Sequence, residues 1–192
     1  KSLVKRGLKG VKLVVSEAHE GLKAAIARVL GATWQRCRVH FMRNALAHVG
    51  KAQQSMAAAA LRQAFLQPDQ ASARQTWRHV ADQLRPRWPK LGKLMDDSED
   101  DVLAYMAFPA QHRTKLHSTN PLERLNKEVK RRADVVGIFP SEASIIRLIG
   151  AVLLEANDEW QMQHRYMGVE AMGDMLNPLP TNETLQLPPK AA

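Results

Sequence analysis

Thr119-Asn120-Pro121-Leu122-Glu123-Arg124-Leu125-Asn126-Lys127-Glu128-Val129-Lys130-Arg131-Arg132 reads as a short basic helix with one carboxylate at its mouth. Asn120 is a good N-cap, Pro121 suits the first helical position, and Glu123 then falls at N3. Glu123 fits two roles there. It can reach back to a backbone N–H as a capping box, or it can present a carboxylate to a metal ion. Leu122, Leu125 and Val129 recur at i, i+3, i+7, which turns one face to a core and leaves Glu123, Lys127 and Lys130 on another. A metal-capable carboxylate followed by cations on the next two turns suits a phosphodiester held against a divalent ion, with Lys and Arg along the strand. The same cations also fit a solvated face laced with Glu–Lys pairs.

The scale of the chain allows a scaffold around this helix. Its 192 residues suffice for one domain with a sizeable core, or for one domain carrying an inserted subdomain. The hydrophobic share of 45% is that of a globular protein, and no apolar run approaches the roughly 18 residues of a membrane helix. Residues 1–10 are basic without an apolar segment and cleavage site behind them, so no secretory signal is read. The single cysteine, Cys37, excludes an intrachain disulfide and fits a reducing cytoplasm. The net charge of +9 points to a polyanionic partner. That charge is concentrated: residues 111–132 hold seven Lys/Arg against two acids, and residues 1–16 hold five Lys/Arg and no acid. Aromatics at 5% argue against a base-stacking platform and for backbone contacts to duplex nucleic acid.

Upstream, Val11-Lys12-Leu13-Val14-Val15 signals a strand, which needs a partner to be stable. Leu22, Ala25, Ile26, Val29 and Leu30 then follow helical spacing, and Gly31 closes the helix. Glu17 lies between the two, just past the carboxyl end of the strand, where α/β folds commonly place their sites. It is equally at home as a solvated turn acid near a helix N-terminus. Residues 32–38 read as a second strand, with a helix over 41–49. Cys37-Arg38-Val39-His40 has the spacing of half a zinc site, but no second Cys pair exists. The simpler reading makes Cys37 a small buried residue and His40 a polar group near the site.

From 53 to 117 the strand signal disappears. Met56, Ala59, Ala60 and Leu61 lie in an Ala-rich helix that ends near Pro68, and Ala73, Trp77, Val80 and Leu84 mark the buried stripe of the next. Asp96-Asp97-Ser98-Glu99-Asp100-Asp101 is expected to be a solvated turn or a helix N-terminus rather than a metal site, with a short helix over 102–108. Ser141 N-caps a last helix whose Ile145, Leu148, Ile149, Val152, Leu153, Ala156 and Trp160 form a stripe fit to pack on a sheet. The chain therefore reads as α/β but predominantly helical, an α-helical insertion dividing two parts of one core. The parts are 1–52 (strand, helix, strand, helix), 53–117 (the insertion), 118–170 (the C-terminal helices of the core) and 171–192 (a Pro-rich tail without periodicity, expected to be mobile).

The ordered set Leu13-Val14-Val15-Ser16-Glu17-Ala18-His19-Glu20-Gly21-Leu22, Cys37-Arg38-Val39-His40, Ser118-Thr119-Asn120-Pro121-Leu122-Glu123-Arg124-Leu125-Asn126, Glu159-Trp160 and Arg165-Tyr166-Met167 resembles the carboxyl half of Mutator-type insertion-sequence transposases. The resemblance covers roughly residues 1–170. It implies an RNase H-like core bearing a DDE carboxylate triad, and an enzyme that cleaves DNA strands and transfers them during transposition. Glu123 matches the triad glutamate. Glu17 matches the second acid, where the family reads Ser-Asp-Ala-His and this chain has one methylene more. The first aspartate belongs to an earlier strand, and residues 1–16 contain no candidate for it. The implied cofactor is Mg²⁺ or Mn²⁺, two ions in an intact site, held by Glu17 and Glu123 with His19, Cys37, His40, Asn120 and Asn126 in support. Arg124, Lys127, Lys130 and Arg131 would follow the DNA backbone. The implied partners are double-stranded DNA, as element ends and as target, and a homo-oligomer when full length, in a bacterial, nucleoid-associated setting away from membranes. On this view the chain is a partial catalytic domain that does not cut DNA alone. Two rivals stand beside it: a non-catalytic DNA-binding remnant, and a basic helical interaction module in which Glu123 only caps its helix.

Overall fold

The computed structural model describes residues 2–162 and residue 173. After the single-turn helix α1 (Ser2–Lys5), Leu13–Ser16 forms β1 and Thr33–Arg36 forms β2. The two strands pair in parallel, Leu13 opposite Thr33 and Ser16 opposite Arg36. Parallel neighbours need a crossover, and α2 (Glu20–Leu30) provides it. Its ends are chemically marked. His19 Nδ1 accepts the Leu22 N–H at 3.1 Å, and Gly31 adopts a left-handed φ of 59° while donating its N–H to Ala27 O. Among the described residues these are the only strands.

Then come α3 (Arg38–Leu46), a 3-10 turn at Lys51–Gln53, α4 (Gln54–Phe65), α5 (Gln70–Leu84), α6 (Pro89–Val102), a second 3-10 turn at Ala104–Ala107, α7 (Ala110–Leu116), α8 (Asn120–Val136) and α9 (Glu142–Met162). The expected second strand is thus shorter, and α3 begins at Arg38 rather than Phe41. Cys37 is its N-cap position because its N–H still belongs to the sheet, donating to Ser16 O at 2.7 Å. Of the helix expected over 102–108, Val102 is instead the last residue of α6 and only Ala104–Ala107 turn, as a 3-10 turn, with Val102 O and the Tyr105 N–H both bonded to Gln35.

One apolar core runs from α3 through α4, α5 and α6. Phe41, Leu61, Ala64, Trp77, Val80, Leu91 and Met95 are fully or almost fully buried in it, so the helices after residue 53 share their interior with the first segment. Alanines at 57, 58 and 64 line the buried face of α4. The expected stripe Ala73, Trp77, Val80 and Leu84 is the buried face of α5. Gln35, a fully buried amide, ties β2 to this core. It donates to Val102 O (2.9 Å) and accepts the Tyr105 N–H (2.7 Å), so every polar atom it brings inside has a partner.

Two expectations about packing fail. The acids at 96–101 lie in the second half of α6, neither in a turn nor at a helix N-terminus. They serve as clamps between helices: Glu99 pairs with Arg74 (3.1 Å) and Arg78 (2.8 Å), Asp96 with Arg85 (2.6 Å), and Asp101 with Lys23 of α2 (2.7 Å). Five acids near a helix C-terminus oppose the dipole, and cations from α5 and α2 offset them. Nor does α8 bury Leu122, Leu125 and Val129. No residue of α8 is buried, Leu122 is 59% exposed, and α8 lies instead against α9. The stripe on α9 likewise packs on α8 rather than on the sheet, with Val152 as its buried residue. The sheet is already covered by α2 and α6. Residues 163–172 and 174–192, with the Arg165-Tyr166-Met167 motif and the expected tail, fall outside the described residues.

Candidate active site

Strand pairing brings the carboxyl ends of β1 and β2 to one edge, and the side chains that follow each strand meet there. Glu17 follows β1, while His40 lies in the first turn of α3, which follows β2. His40 Nε2 stands 3.1 Å from Glu17 Oε1 and 3.8 Å from Glu123 Oε1. Both are ion-pair contacts between the ring nitrogen and a carboxylate oxygen. Two carboxylates far apart in the chain therefore converge on one imidazole nitrogen. That imidazole is nearly enclosed at 15% exposure, whereas Glu17 and Glu123 are 69% and 50% exposed. Its other nitrogen, Nδ1, is buried without a partner. Nε2 is assigned as the N–H, since it faces only acceptors.

The segment before α8 is fastened to the start of α3, and this aims Glu123. Arg38 N–H donates to His117 O at 2.8 Å, and the Arg38 guanidinium meets His117 Nε2 at 3.2 Å. Thr119 N–H donates to Cys37 Sγ at 3.4 Å. With its amide held there, Thr119 becomes the N-cap position, Asn120 and Pro121 follow as the first two helical residues, and Glu123 falls one place later than N3. The capping box does not form. Glu123 Oε1 instead accepts from the Thr119 hydroxyl at 2.5 Å. Burial pushes the Cys37 thiol up, but hydrogen bonds with Thr119 and at the His40 amide outweigh it and bring the thiol below its ordinary range.

Glu17, Cys37, His40 and Glu123 are thus brought together, with Asn120 in the first turn of α8 beside them. His19 is not, because its ring caps α2. Asn126 is exposed on α8. Arg124, Lys127 and Arg131 line a groove of about 300 Å³ between α8 and α9, against Leu125, Ala156 and Trp160. Arg131 is partly spent on Glu128 (2.7 Å), which Arg131 and then Arg132 hold down at about pKa 2. Arg132 continues to Glu155 of α9 at 2.7 Å, so this cation ties α8 to α9. Arg124, Lys127 and Lys130 have no carboxylate partner among the described residues. Sequence reading missed Thr119, Arg38 and His117 as site residues. Their neighbours Glu123 and Cys37-His40 were the available signal, but a contact across the chain leaves no local period.

His117 gives the site a pH dependence. Burial, then the charge of Arg38, push its imidazole down to about 4. The folded pKa is below the unfolded one, so between about 6.5 and about 4 the unfolded chain binds the extra proton and stability falls as pH drops. Discounted for its partial exposure, we expect a loss of about 1–2 kcal/mol across that window. Urea midpoints at pH 7 and pH 4.5 should diverge less in His117→Asn than in the wild type. Equal divergence would remove His117 as the cause.

The donor set fits a hard dication in kind, two solvent-facing carboxylates with unshared oxygens. Among the described residues no group of three or more His, Cys, Asp or Glu is arranged to hold a metal ion. Cys37 and His40 do not act as half a zinc site, since Sγ is turned to Thr119 and Nε2 to the carboxylates.

Residues 1–163 match the family described as Transposase, Mutator family. The chain is 47% identical over 173 residues to the transposase for insertion sequence element IS1081 of Mycobacterium tuberculosis, spanning 90% of this chain and 42% of that protein. It is 40% identical over 166 residues to the transposase for ISRM5 of Rhizobium meliloti, spanning 86% of this chain and 42% of the relative. It is 40% identical over 161 residues to the transposase for IS256 in transposon Tn4001 of Staphylococcus aureus, spanning 82% and 41%. The chain spans less than half the length of these relatives.

Proposed function

The chain belongs to the Mutator family of transposases, and on that premise we propose that residues 1–192 form part of the catalytic domain of an insertion-sequence transposase of the DDE type, with an RNase H-like core. The observation that supports this most is the meeting of Glu17 and Glu123 at His40, each at the end of a different element. Glu17 and Glu123 would hold Mg²⁺ or Mn²⁺. Such an ion, when bound, stabilises the charge on the attacking and leaving oxygens of a phosphodiester. The chain's own part is to aim the two carboxylates through β1 and α8, keep His40 between them as an N–H donor, and steer the DNA backbone with Arg124, Lys127 and Lys130. The proposed partners are double-stranded element ends and target DNA, with a second copy of the full-length protein.

Two tests separate the parts of this reading. A two-ion centre needs more oxygen ligands than Glu17 and Glu123 provide, so residues 1–192 assayed alone should not cut an element-end duplex in Mg²⁺. Detectable cleavage would overturn that expectation. Duplex binding should weaken steeply with salt, and the double change Lys127→Ala, Lys130→Ala should lower the slope of log K against log salt by about 2. An unchanged slope would take α8 off the DNA path.

A second reading draws on the absence of any group of three or more metal-capable side chains among the described residues. It takes the chain as a DNA-binding remnant without metal chemistry. A Mn²⁺ titration that finds no site sensitive to Glu17→Gln and Glu123→Gln would favour it.

A further inference from the structure

A glutamate at the mouth of a helix, half-exposed, is free to rotate unless something holds it. In this chain something does. The Thr119 hydroxyl lies 2.5 Å from Glu123 Oε1 and 3.3 Å from Cys37 Sγ. A hydroxyl has one hydrogen, so it cannot donate to both. The short oxygen–oxygen contact to a carboxylate takes the proton, as charge-assisted bonds do. With the hydroxyl proton on the carboxylate, Sγ lies in contact with Oγ1 and holds Thr119 by accepting its N–H at 3.4 Å. Cys37 is fully buried and stands where the sheet hands over to α3, so its sulfur is a fixed post.

From this geometry we infer that Thr119 is the positioning residue of Glu123, and that the buried Cys37 sulfur fixes Thr119 in that role. The hydroxyl selects one orientation of the carboxylate, the one whose Oε1 also faces His40. The inference deepens the reading of Glu123 as a metal ligand and rests on it. It also accounts for a buried cysteine that pairs with no other sulfur and belongs to no zinc site. The chemistry makes a distinction among substitutions. Thr119→Ser keeps the hydroxyl, whereas Thr119→Val keeps the branched shape and loses it. Cys37→Ser keeps an acceptor for the Thr119 N–H, and Cys37→Ala removes it.

The test is Mn²⁺ binding to residues 1–192, followed by electron paramagnetic resonance, alongside the thermal midpoint. Loss of an outer hydrogen bond to a ligand costs about 10- to 100-fold in metal affinity. Thr119→Val should therefore bind Mn²⁺ about 10-fold or more weakly with an unshifted midpoint, and Cys37→Ala should move the same way. Thr119→Ser and Cys37→Ser should restore near wild-type affinity. Equal affinity in wild type and Thr119→Val would overturn the inference. A readout without metal keeps it separate from the reading beneath it: side-chain couplings in solution should show one Glu123 χ1 rotamer in the wild type and averaging in Thr119→Val. If wild type binds no Mn²⁺ but the rotamer averages, the metal reading falls and the positioning role stands. A rotamer indifferent to Thr119→Val removes the positioning role whatever the metal does.

Discussion

Glu123→Gln should weaken Mn²⁺ binding to residues 1–192 by about 100-fold or more while leaving the fold intact. The magnitude exceeds that of an outer-sphere change because a ligand's charge is removed rather than its support. Glutamine has nearly the same shape, and its amide oxygen can still accept from the Thr119 hydroxyl that now meets Glu123. The substituted side chain is half-exposed, so stability should change by no more than about 0.5 kcal/mol. Affinity and stability are thereby separated in one variant. In a chain of the relatives' length, the same change should abolish excision of the element. Retained Mn²⁺ affinity in Glu123→Gln would leave the carboxylate as a helix-end residue and return the chain to the DNA-binding remnant.

Trp77→Ala should cost about 3–5 kcal/mol of folding stability, the range for emptying a buried aromatic site. Trp77 is fully buried. Its ring lies 5.2 Å from that of Phe41 and 5.9 Å from that of Phe65, and its indole N–H donates to Met95 O at 3.0 Å. The substitution leaves a cavity at the junction of α3, α5 and α6 and removes the indole's bond to the Met95 carbonyl. Against a total of roughly 5–15 kcal/mol for an ordinary domain, that is a large share. The effect reaches the site, because Phe41 is the residue after His40 on α3. Denaturant unfolding followed by circular dichroism measures it, and a loss under about 1 kcal/mol would mean that the core does not depend on this ring.

How much of this could be seen in the residues themselves varies with the range of the interaction. The α5 stripe, the Gly31 stop and the two strand signals were legible because each is written within a few turns of chain. The α8 face was misjudged for a related reason. Spacing shows that Leu122, Leu125 and Val129 share a side, but not what that side meets: α8 lies against α9 rather than the main core, and the side stays unburied. The acids of 96–101 were read as solvent-facing because their partners Arg74, Arg78, Arg85 and Lys23 come from other elements. Gln35 gave no warning at all, since a glutamine between Trp34 and Arg36 in a four-residue strand is indistinguishable by period from an exposed one.

The sequence by itself determined the helical majority, the two short strands, the concentration of positive charge on α8 and the two acids worth watching, Glu17 and Glu123. Each of these follows from near-neighbour chemistry along the chain. Only the tertiary structure decided that both acids meet at His40, that Thr119 and not Asn120 takes the N-cap position of α8, and that a buried sulfur stands behind Thr119. Those outcomes depend on where α3 is held by the helical core around Phe41 and Trp77, a packing result summed over many distant side chains that no local pattern encodes.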